Sequence, residues 1–381
     1  MDAASAFALL GQHMETELDE EDSSRKASSG CDERALPVYQ ARLPNGRQIP
    51  LLKTMLTSVC ERNCNYCAFR SGRDMCRATF KPDDLARGFV QMHQKGSVQG
   101  LFLSSGLAGG SVCTQDRLLD TAEILRKKHH FHGYLHLKIM PGAEKDQVLR
   151  AMQLADRVSV NLEGPNDPCL ARLAPQKSLM DELLKPLRWV SEIRDTQDAH
   201  TGWNGRWPSS TTQFVVGAVG EHDLDLLRAT AFLHQKLRLA RVYFSGFAPV
   251  PGTPFEGQDA VDPLRRTRLY QASFLLRDYG FGYEDLPFTP GGDLPLDVDP
   301  KLAWAQANLE QAPLEINRSS REDLLRIPGI GLRGAQAIVT ARRRNSLRSL
   351  EDLKALGIRP NRAAPFILLD GKRPPRQLSL L

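Results

Sequence analysis

The chain is poor in three things, and each shortage excludes something. Its 381 residues contain no run of about 18 apolar residues, so no segment reads as a membrane-spanning helix. Its opening, "MDAASAFALLGQHMETELDEED", turns acidic where a secretory leader needs a basic start and a cleavage site. The expected location is therefore cytoplasmic. Cysteines number only seven, an odd count that suits no disulfide framework, and in a reducing compartment clustered thiols read as metal-binding or catalytic.

Three of the seven are clustered. In "SVCERNCNYCAFR" Cys60, Cys64 and Cys67 stand with gaps of three and then two residues. The other four, Cys31, Cys76, Cys113 and Cys169, are scattered and read as ordinary thiols. Three readings of the trio are open. A structural zinc site wants four ligands, usually from two CxxC knuckles, and here only Cys64–Cys67 forms a CxxC, so Cys60 and Cys76 would have to complete the tetrahedron. Unliganded thiols gathered by chance are a second reading. The third is a cubane iron–sulfur cluster held by three thiolates, with one iron left open as catalytic zinc sites leave a position open.

The net charge of +5 is unevenly spread. From Pro313 onward there are 14 Lys/Arg against 6 Asp/Glu, and the rest of the chain carries 36 against 39. A basic C-terminal piece is what a module that meets nucleic acid would show.

Residues 1–40 are expected to be a flexible segment, because "TELDEEDSSRKASSGCDER" is polar and low in aromatics. Alternation begins near Ile49. The strand-like runs are "IPLLKTMLTS", "VQGLFLSSG", "YLHLKIM", "RVSVNLE", "TQFVVGA" and "RVYFSGF". Helical stretches follow them at Pro82–Lys95, Gln115–His129, Glu144–Leu154, Leu179–Arg194, Glu221–Leu237 and Pro263–Tyr279. Six such units predict an α/β fold with parallel strands joined by right-handed crossovers. About 230 residues is short for a closed eight-unit barrel, so the expectation is a partial (β/α)6 TIM-like barrel with its chemistry at the C-terminal strand ends. The cysteine loop follows the first of these strands directly.

The barrel is expected over 41–285, a Pro/Gly-rich linker over 286–312, a small all-α domain over 313–370 and a tail over 371–381. In "LEINRSSREDLLRIPGIGLRGAQAIVTARRR", Asn317 or Ser319 is expected to cap a helix with Glu322 or Asp323 in its first turn. Ile327 to Gly331 form a tight turn before a second helix. "LRSLEDLKALGIRPNRAAPFILL" repeats the plan more loosely around Leu356-Gly357-Ile358. The insert "HTGWNGRWPSS" brings Trp203, Arg206 and Trp207 together, as a base-stacking surface or as a loop packed on the barrel.

The spacing Cys60-x3-Cys64-x2-Cys67, with Tyr66 before the third cysteine, resembles the signature of the radical S-adenosylmethionine superfamily. The resemblance implies that the three cysteines ligate a [4Fe-4S] cluster whose open iron chelates S-adenosylmethionine. Reductive cleavage of that cofactor would give a 5′-deoxyadenosyl radical that abstracts a substrate hydrogen. It further implies that Ser104, Ser105 and Gly106 stand where the family often has a Gly-Gly-Glu turn on the methionyl amino group, here without the glutamate. "SVNLEGP" resembles the biotin synthase-like branch and offers Glu163 to the ribose hydroxyls, with Asn161 beside it. Val216, Gly217 and Gly220 match the strand that supports the adenine, and "FSGFAPVPGTPFE" matches the branch's last strand and loop. A flavodoxin- or ferredoxin-type electron donor is implied.

The C-terminal piece resembles helix-hairpin-helix repeats. Its Pro328-Gly329-Ile330-Gly331 turn would bring backbone N–H groups to a phosphate, with Arg333, Arg342, Arg343 and Arg344 adding attraction, and would bind DNA without sequence preference. The pairing resembles the bacterial family described as DNA modification or repair radical S-adenosylmethionine proteins. Two other readings remain open: a radical enzyme on RNA or a small molecule with the hairpins as anchor, and a non-catalytic iron–sulfur adaptor on DNA.

Overall fold

A computed structural model describes residues 38–42 and 47–375, together with Phe7 and Leu10. Most of the expected N-terminal segment, Cys31 and residues 376–381 of the tail lie outside the described residues. The chain divides into two compact units: one holds 1–221 and 232–262, the other 222–231 and 263–381. No helix among the described residues is long and apolar enough to cross a membrane.

The first unit is built on one curled seven-stranded sheet in sequential order β1 to β7. Strand β1 (Val38–Arg42) runs antiparallel to β2 (Gln48–Met55). From β2 onward every pairing is parallel, through β3 (Gly100–Ser104), β4 (Tyr134–Lys138), β5 (Arg157–Ser159), β6 (Ser209–Val216) and β7 (Arg241–Gly246). The six strands read from the sequence are all present, and β1 is an addition. Its run "VYQAR" is too short and too polar to read as a strand alone. An open sheet of six parallel strands with helical crossovers is the half-barrel form of the α/β fold.

Two faces follow from the period-2 alternation of a strand. Leu52, Leu101, Leu103, Leu135, Leu137, Val158 and Val242 are fully buried on one face. Helices Pro82–Gln94, Ser111–Glu123 and Lys145–Leu154 supply the apolar partners Leu85, Phe89, Leu118, Leu119 and Val148. Phe214 and Phe244 join this layer with ring centroids 6.4 Å apart. Truncating either to alanine removes a fully buried ring and costs about 3–5 kcal/mol.

Local departures have local causes. Strand β5 ends early because the Thr212 hydroxyl takes a ladder position, donating to the Val160 carbonyl at 2.6 Å and accepting from the Leu162 N–H at 3.2 Å. Pairing resumes at Glu163, which bridges Phe214. After β5 comes an additional short helix, Asp167–Leu173, capped by Asn166. The stretch expected as one helix from Leu179 is a π-turn, Leu179–Leu184, running into helix Lys185–Thr196.

The second unit carries helix Pro263–Asp278, helix Pro300–Leu309 within the stretch expected as linker, and two helix–turn–helix pieces. The first piece is Arg321–Arg326 and Leu332–Ala341, the second Leu350–Ala355 and Pro360–Ala363. They share one core of Leu324, Ile327, Ile330, Ile338, Leu353 and Phe366, with Ala305 and Leu309 packed into it. The leading helix of each piece has a reciprocal capping box: Ser320 with Asp323, and Ser349 with Asp352. Neither Asn317 nor Ser319 is the cap. Asn317 instead pairs with both backbone groups of Leu347, accepting at 2.9 Å and donating at 3.0 Å, and so ties the pieces together.

Candidate radical-cofactor site

The loop from Val59 to Arg77 leaves β2 and returns to it. Its base is closed by a Thr57–Thr79 bridge and by Ser58 N–H to Ala78 O at 3.0 Å. Inside, Arg77 donates to the carbonyls of Ser58, Phe69, Arg70 and Arg73. Four orphan carbonyls are thereby satisfied by one guanidinium, which fixes the loop's curvature. Arg70 donates to the Cys64 carbonyl at 3.3 Å.

Two neighbours hold the loop from outside. Glu61 N–H donates to the Leu107 carbonyl at 2.8 Å, and its carboxylate accepts from the Gly109 and Gly110 N–H groups. A Cβ on Gly106 would collide with the Val59 carbonyl, so only glycine lets the cysteine loop cross the end of β3. On the other side Asn65 bonds backbone groups of Leu173 and Arg172, and Arg62 pairs with Glu182 and the Gln176 carbonyl.

This docking gathers a set of charges. Glu163 is buried, with a φ of 64° that a non-glycine residue rarely adopts. Lys177 donates to its Oε1 at 2.9 Å, and both side chains are under 10 % exposed. Burial alone would raise the Glu163 carboxyl, but Lys177 foremost, then Lys138 and the Tyr66 hydroxyl, hold it below its ordinary value. Glu163 and Cys64 in turn hold Lys177 above its ordinary value against burial. Tyr66 is pushed well up by burial and then by Glu163. Burial, Glu163 and Cys60 raise Cys64, and burial with Cys64 pushes Cys67 up to about 12. The three thiols are therefore close enough to feel one another.

These residues fit a cubane cluster and its organic cofactor. Among the described residues no group of His, Cys, Asp and Glu converges as a single metal ion requires. A cubane does not ask for that, since each thiolate meets a different iron. The Phe69 N–H already points at the Cys67 sulfur at 3.4 Å. Two buried oxygens nearby lack any hydrogen-bond partner, Glu163 Oε2 and Ser105 Oγ. Such orphans cost about 1–3 kcal/mol each and mark where a polar ligand would be received.

The structure brings Cys60, Cys64, Cys67, Tyr66 and Glu163 into one cluster, with Gly106 against the same loop. Glu163 is sewn to β6 by its N–H on the Gln213 carbonyl at 3.0 Å and its own carbonyl on the Val215 N–H at 2.8 Å. Val216 and Gly217 are thus next along β6, and Asn161 is two residues before Glu163. Gly217, at φ 95°, leaves no room for a Cβ beside Val261, and its N–H is held by Glu221 at 2.5 Å. Pro328 to Arg333 lie in the second unit. Arg342, expected to face a ligand, is turned inward and donates to the carbonyls of Ile316 and Ser319. In the tryptophan insert, Trp203 stacks on the Arg126 guanidinium at 3.8 Å, a structural contact. Sequence reasoning missed Lys177, Arg62 and Arg77, which no motif or periodicity marks.

A family comparison matches residues 54–206 to the Radical SAM superfamily. No curated protein matches. Among solved structures, methylornithine synthase (PylB) is 13% identical with a TM-score of 0.47, over 60% of this chain and 61% of that one. HydG, a maturase of the [FeFe]-hydrogenase, is 12% identical at 0.47, over 60% and 49%. The cobalamin-dependent S-adenosylmethionine radical enzyme OxsB is 11% identical at 0.35, over 77% and 46%. The chain thus spans about half to three fifths of the length of the structures it matches. The cysteine loop, Ser104–Gly106, Glu163 and Lys177 all fall within residues 54–206, the stretch that is similar to the Radical SAM superfamily.

Proposed function

We propose that the protein abstracts hydrogen from a nucleic-acid substrate, or from a group delivered to one, in the modification or repair of DNA. With cluster and cofactor bound, the chemistry supplied is reductive cleavage of the sulfonium to a 5′-deoxyadenosyl radical. Cys60, Cys64 and Cys67 would hold the cluster, with one iron left open for the cofactor. The carbonyls of Ser104 to Gly106 and the Ser105 hydroxyl receive the methionyl ammonium. Glu163 accepts from the ribose hydroxyls through Oε2, with Asn161 beside it, while Lys177 keeps the carboxylate ionised and aimed. Val216 and Gly217 offer a flat backbone edge to the adenine. Enzymes of this kind need a reductant, and a flavodoxin or ferredoxin suits the role.

The observation that carries this reading is the pair of orphaned buried oxygens, Glu163 Oε2 and Ser105 Oγ, beside the loop of three clustered cysteines. The nucleic-acid part rests on the C-terminal unit. Gly329 turns the chain at φ 84°, helix Leu332–Ala341 begins at Gly331 without a side-chain cap, and Arg333, Arg343 and Arg344 are exposed. Free N–H groups at a helix start beside exposed arginines suit a phosphate.

The test is anaerobic. The protein is reconstituted with iron and sulfide, reduced and given S-adenosylmethionine, and 5′-deoxyadenosine is followed with and without single- or double-stranded DNA. Formation stimulated by DNA is expected. Formation indifferent to DNA removes the nucleic-acid substrate, and no formation from an intact reduced cluster leaves the non-catalytic adaptor.

A further inference from the structure

The stretch expected to be flexible contributes two side chains to the core. Phe7 is 2% exposed and Leu10 is fully buried. Both are helical, and residues three apart lie on one face of a helix. Phe7 has its seat on helix Pro82–Gln94. A Cβ on Gly88 would lie 2.7 Å from Phe7 Cε2, so the ring takes the space that any other residue's side chain would need. Glycine within a helix is unfavourable, and this ring accounts for it at position 88. The same ring meets Phe80, with centroids 4.6 Å apart and planes at 37°.

Phe80 ends the limb by which the cysteine loop returns to β2. The limb is held by its backbone and hydroxyls. The Ser58 N–H donates to the Ala78 carbonyl at 3.0 Å, and the Ala78 N–H donates to Ser58 Oγ at 2.9 Å. The Thr57 and Thr79 hydroxyls are 2.6 Å apart. The Phe80 N–H donates to the Leu56 carbonyl at 2.8 Å, and the Phe80 carbonyl accepts from Arg117 at 3.0 Å. The Phe80 ring, itself buried, packs on Phe7. Apolar anchors three residues apart on a helix, seated in a groove, are a recurring mode of peptide recognition. Here groove and anchors belong to one chain.

We propose that the segment bearing Phe7 and Leu10 is a latch on the cysteine loop: it docks as a helical peptide in the Gly88 slot and, through Phe80, holds the loop's closing limb against β2. The occupant is the chain's own segment, because Phe7 fills the slot to the point of excluding a Cβ. With the slot empty, the Phe80 ring loses its cover and faces water. The limb from Ala78 to Phe80 then frays from Leu56, Thr57 and Ser58, and the loop carrying Cys60, Cys64 and Cys67 opens at its base. Such an opening is local, so the sheet stays folded while the loop loosens. The latch acts on the loop itself and stands whether or not the proposed reaction does.

The test compares the full-length wild type with Phe7→Ala and Gly88→Leu, all reconstituted with iron and sulfide. In Phe7→Ala, amide hydrogen exchange over residues 56–80 should quicken at least tenfold while β6 exchanges as in wild type, and iron release to a chelator should quicken severalfold. A peptide of residues 1–14 should bind Phe7→Ala at least tenfold more tightly than wild type, whose slot is filled, and should restore slow exchange. Gly88→Leu keeps Phe7 but fills its seat with a residue that favours a helix, and it covers the case in which Phe7→Ala misfolds. There chymotrypsin should cut after Phe7 and Leu10 at least tenfold faster than in wild type, and the peptide should not bind. The proposal is overturned if residues 56–80 exchange as in wild type, if β6 quickens equally, if the peptide fails to bind Phe7→Ala, or if chymotrypsin cuts Gly88→Leu no faster. A wild-type mass twice that of Phe7→Ala by light scattering would seat the segment on a second copy, and would equally overturn it. Formation of 5′-deoxyadenosine is scored separately: its absence with the latch intact would fell the radical reading alone.

Discussion

The two units carry charge in opposite ways. In the barrel unit the charged pair is desolvated: Glu163 and Lys177 sit away from water beside the buried Cys64, with Cys60 and Cys67 half-buried. In the C-terminal unit the excess is on the surface, where Arg333, Arg343 and Arg344 project into solvent, while the inward Arg342 is spent on backbone carbonyls. A buried charge has one geometry and one partner, so removing the partner is expensive and salt hardly matters. An exposed charge is replaceable, additive and screened. One chain thus combines desolvated ion pairs of fixed geometry with a diffuse surface field of positive charge.

The comparison is broken most completely at the cysteines. Any one of Cys60→Ala, Cys64→Ala or Cys67→Ala should abolish 5′-deoxyadenosine formation and lower bound iron, checked by iron assay and visible absorption. DNA affinity by filter binding should stay unchanged in the same variants, because their loop belongs to the other unit.

Next in size is Lys177→Met. It strands a buried carboxylate, and the expected loss is about 3–5 kcal/mol in chemical denaturation. Adding Glu163→Gln should restore much of that stability, and a cycle in which the two losses simply add would dissolve the pair.

Within the C-terminal unit the two turn glycines should part company. A Cβ on Gly329 meets the Arg359 carbonyl at 2.7 Å in a left-handed backbone, whereas at Gly331 the nearest atom is the Tyr279 hydroxyl at 3.5 Å. Gly329→Ala should cost about 1–3 kcal/mol of stability, read from the thermal melt. Gly331→Ala should melt like wild type. Gly329 is thus explained by packing against the second helical piece, so Gly331 is the cleaner probe of phosphate binding.

Arg343→Gln/Arg344→Gln should weaken DNA binding evenly across sequences and lower the slope of log affinity against log salt by about 2. An unchanged slope would remove these arginines from the interface.

The smallest effect concerns Lys301, whose ammonium meets the Ile330 carbonyl at 2.6 Å within the turn. Burial lowers it from 10.5 to about 7, against the pull of Asp299. A lysine lowered on folding is charged more often in the unfolded chain, so stability should rise with pH between about 7 and 10.5. A melting temperature a few degrees higher at pH 9 than at pH 7, lost in Lys301→Met, is the expected result.

How much of this was legible in the sequence follows from what each feature depends on. The six parallel strands were readable because alternation and apolar runs are local. The cysteine trio was readable because three cysteines in one short loop are a local pattern. Glu163 was reached through resemblance, yet its partner Lys177 was not, because a pairing across fourteen residues of irregular chain leaves no periodic mark. The inner face of the sheet was half visible: in "YLHLKIM" His136 and Lys138 alternate with leucines, which is a polar face on a buried strand, and the alignment of His136 with Phe102 and Arg157 required the register. The early end of β5 turned on the Thr212 hydroxyl replacing a backbone rung, a substitution invisible to any propensity.

Arg77 carries one more consequence. Because a single guanidinium gathers four carbonyls of the cysteine loop, the loop's curvature is set by the chain's own hydrogen bonds. Loading is then casting into a standing mould rather than folding around a metal. A cluster lost to oxygen should then be replaceable in the same protein molecule, and the emptied loop should stay as resistant to protease as the filled one.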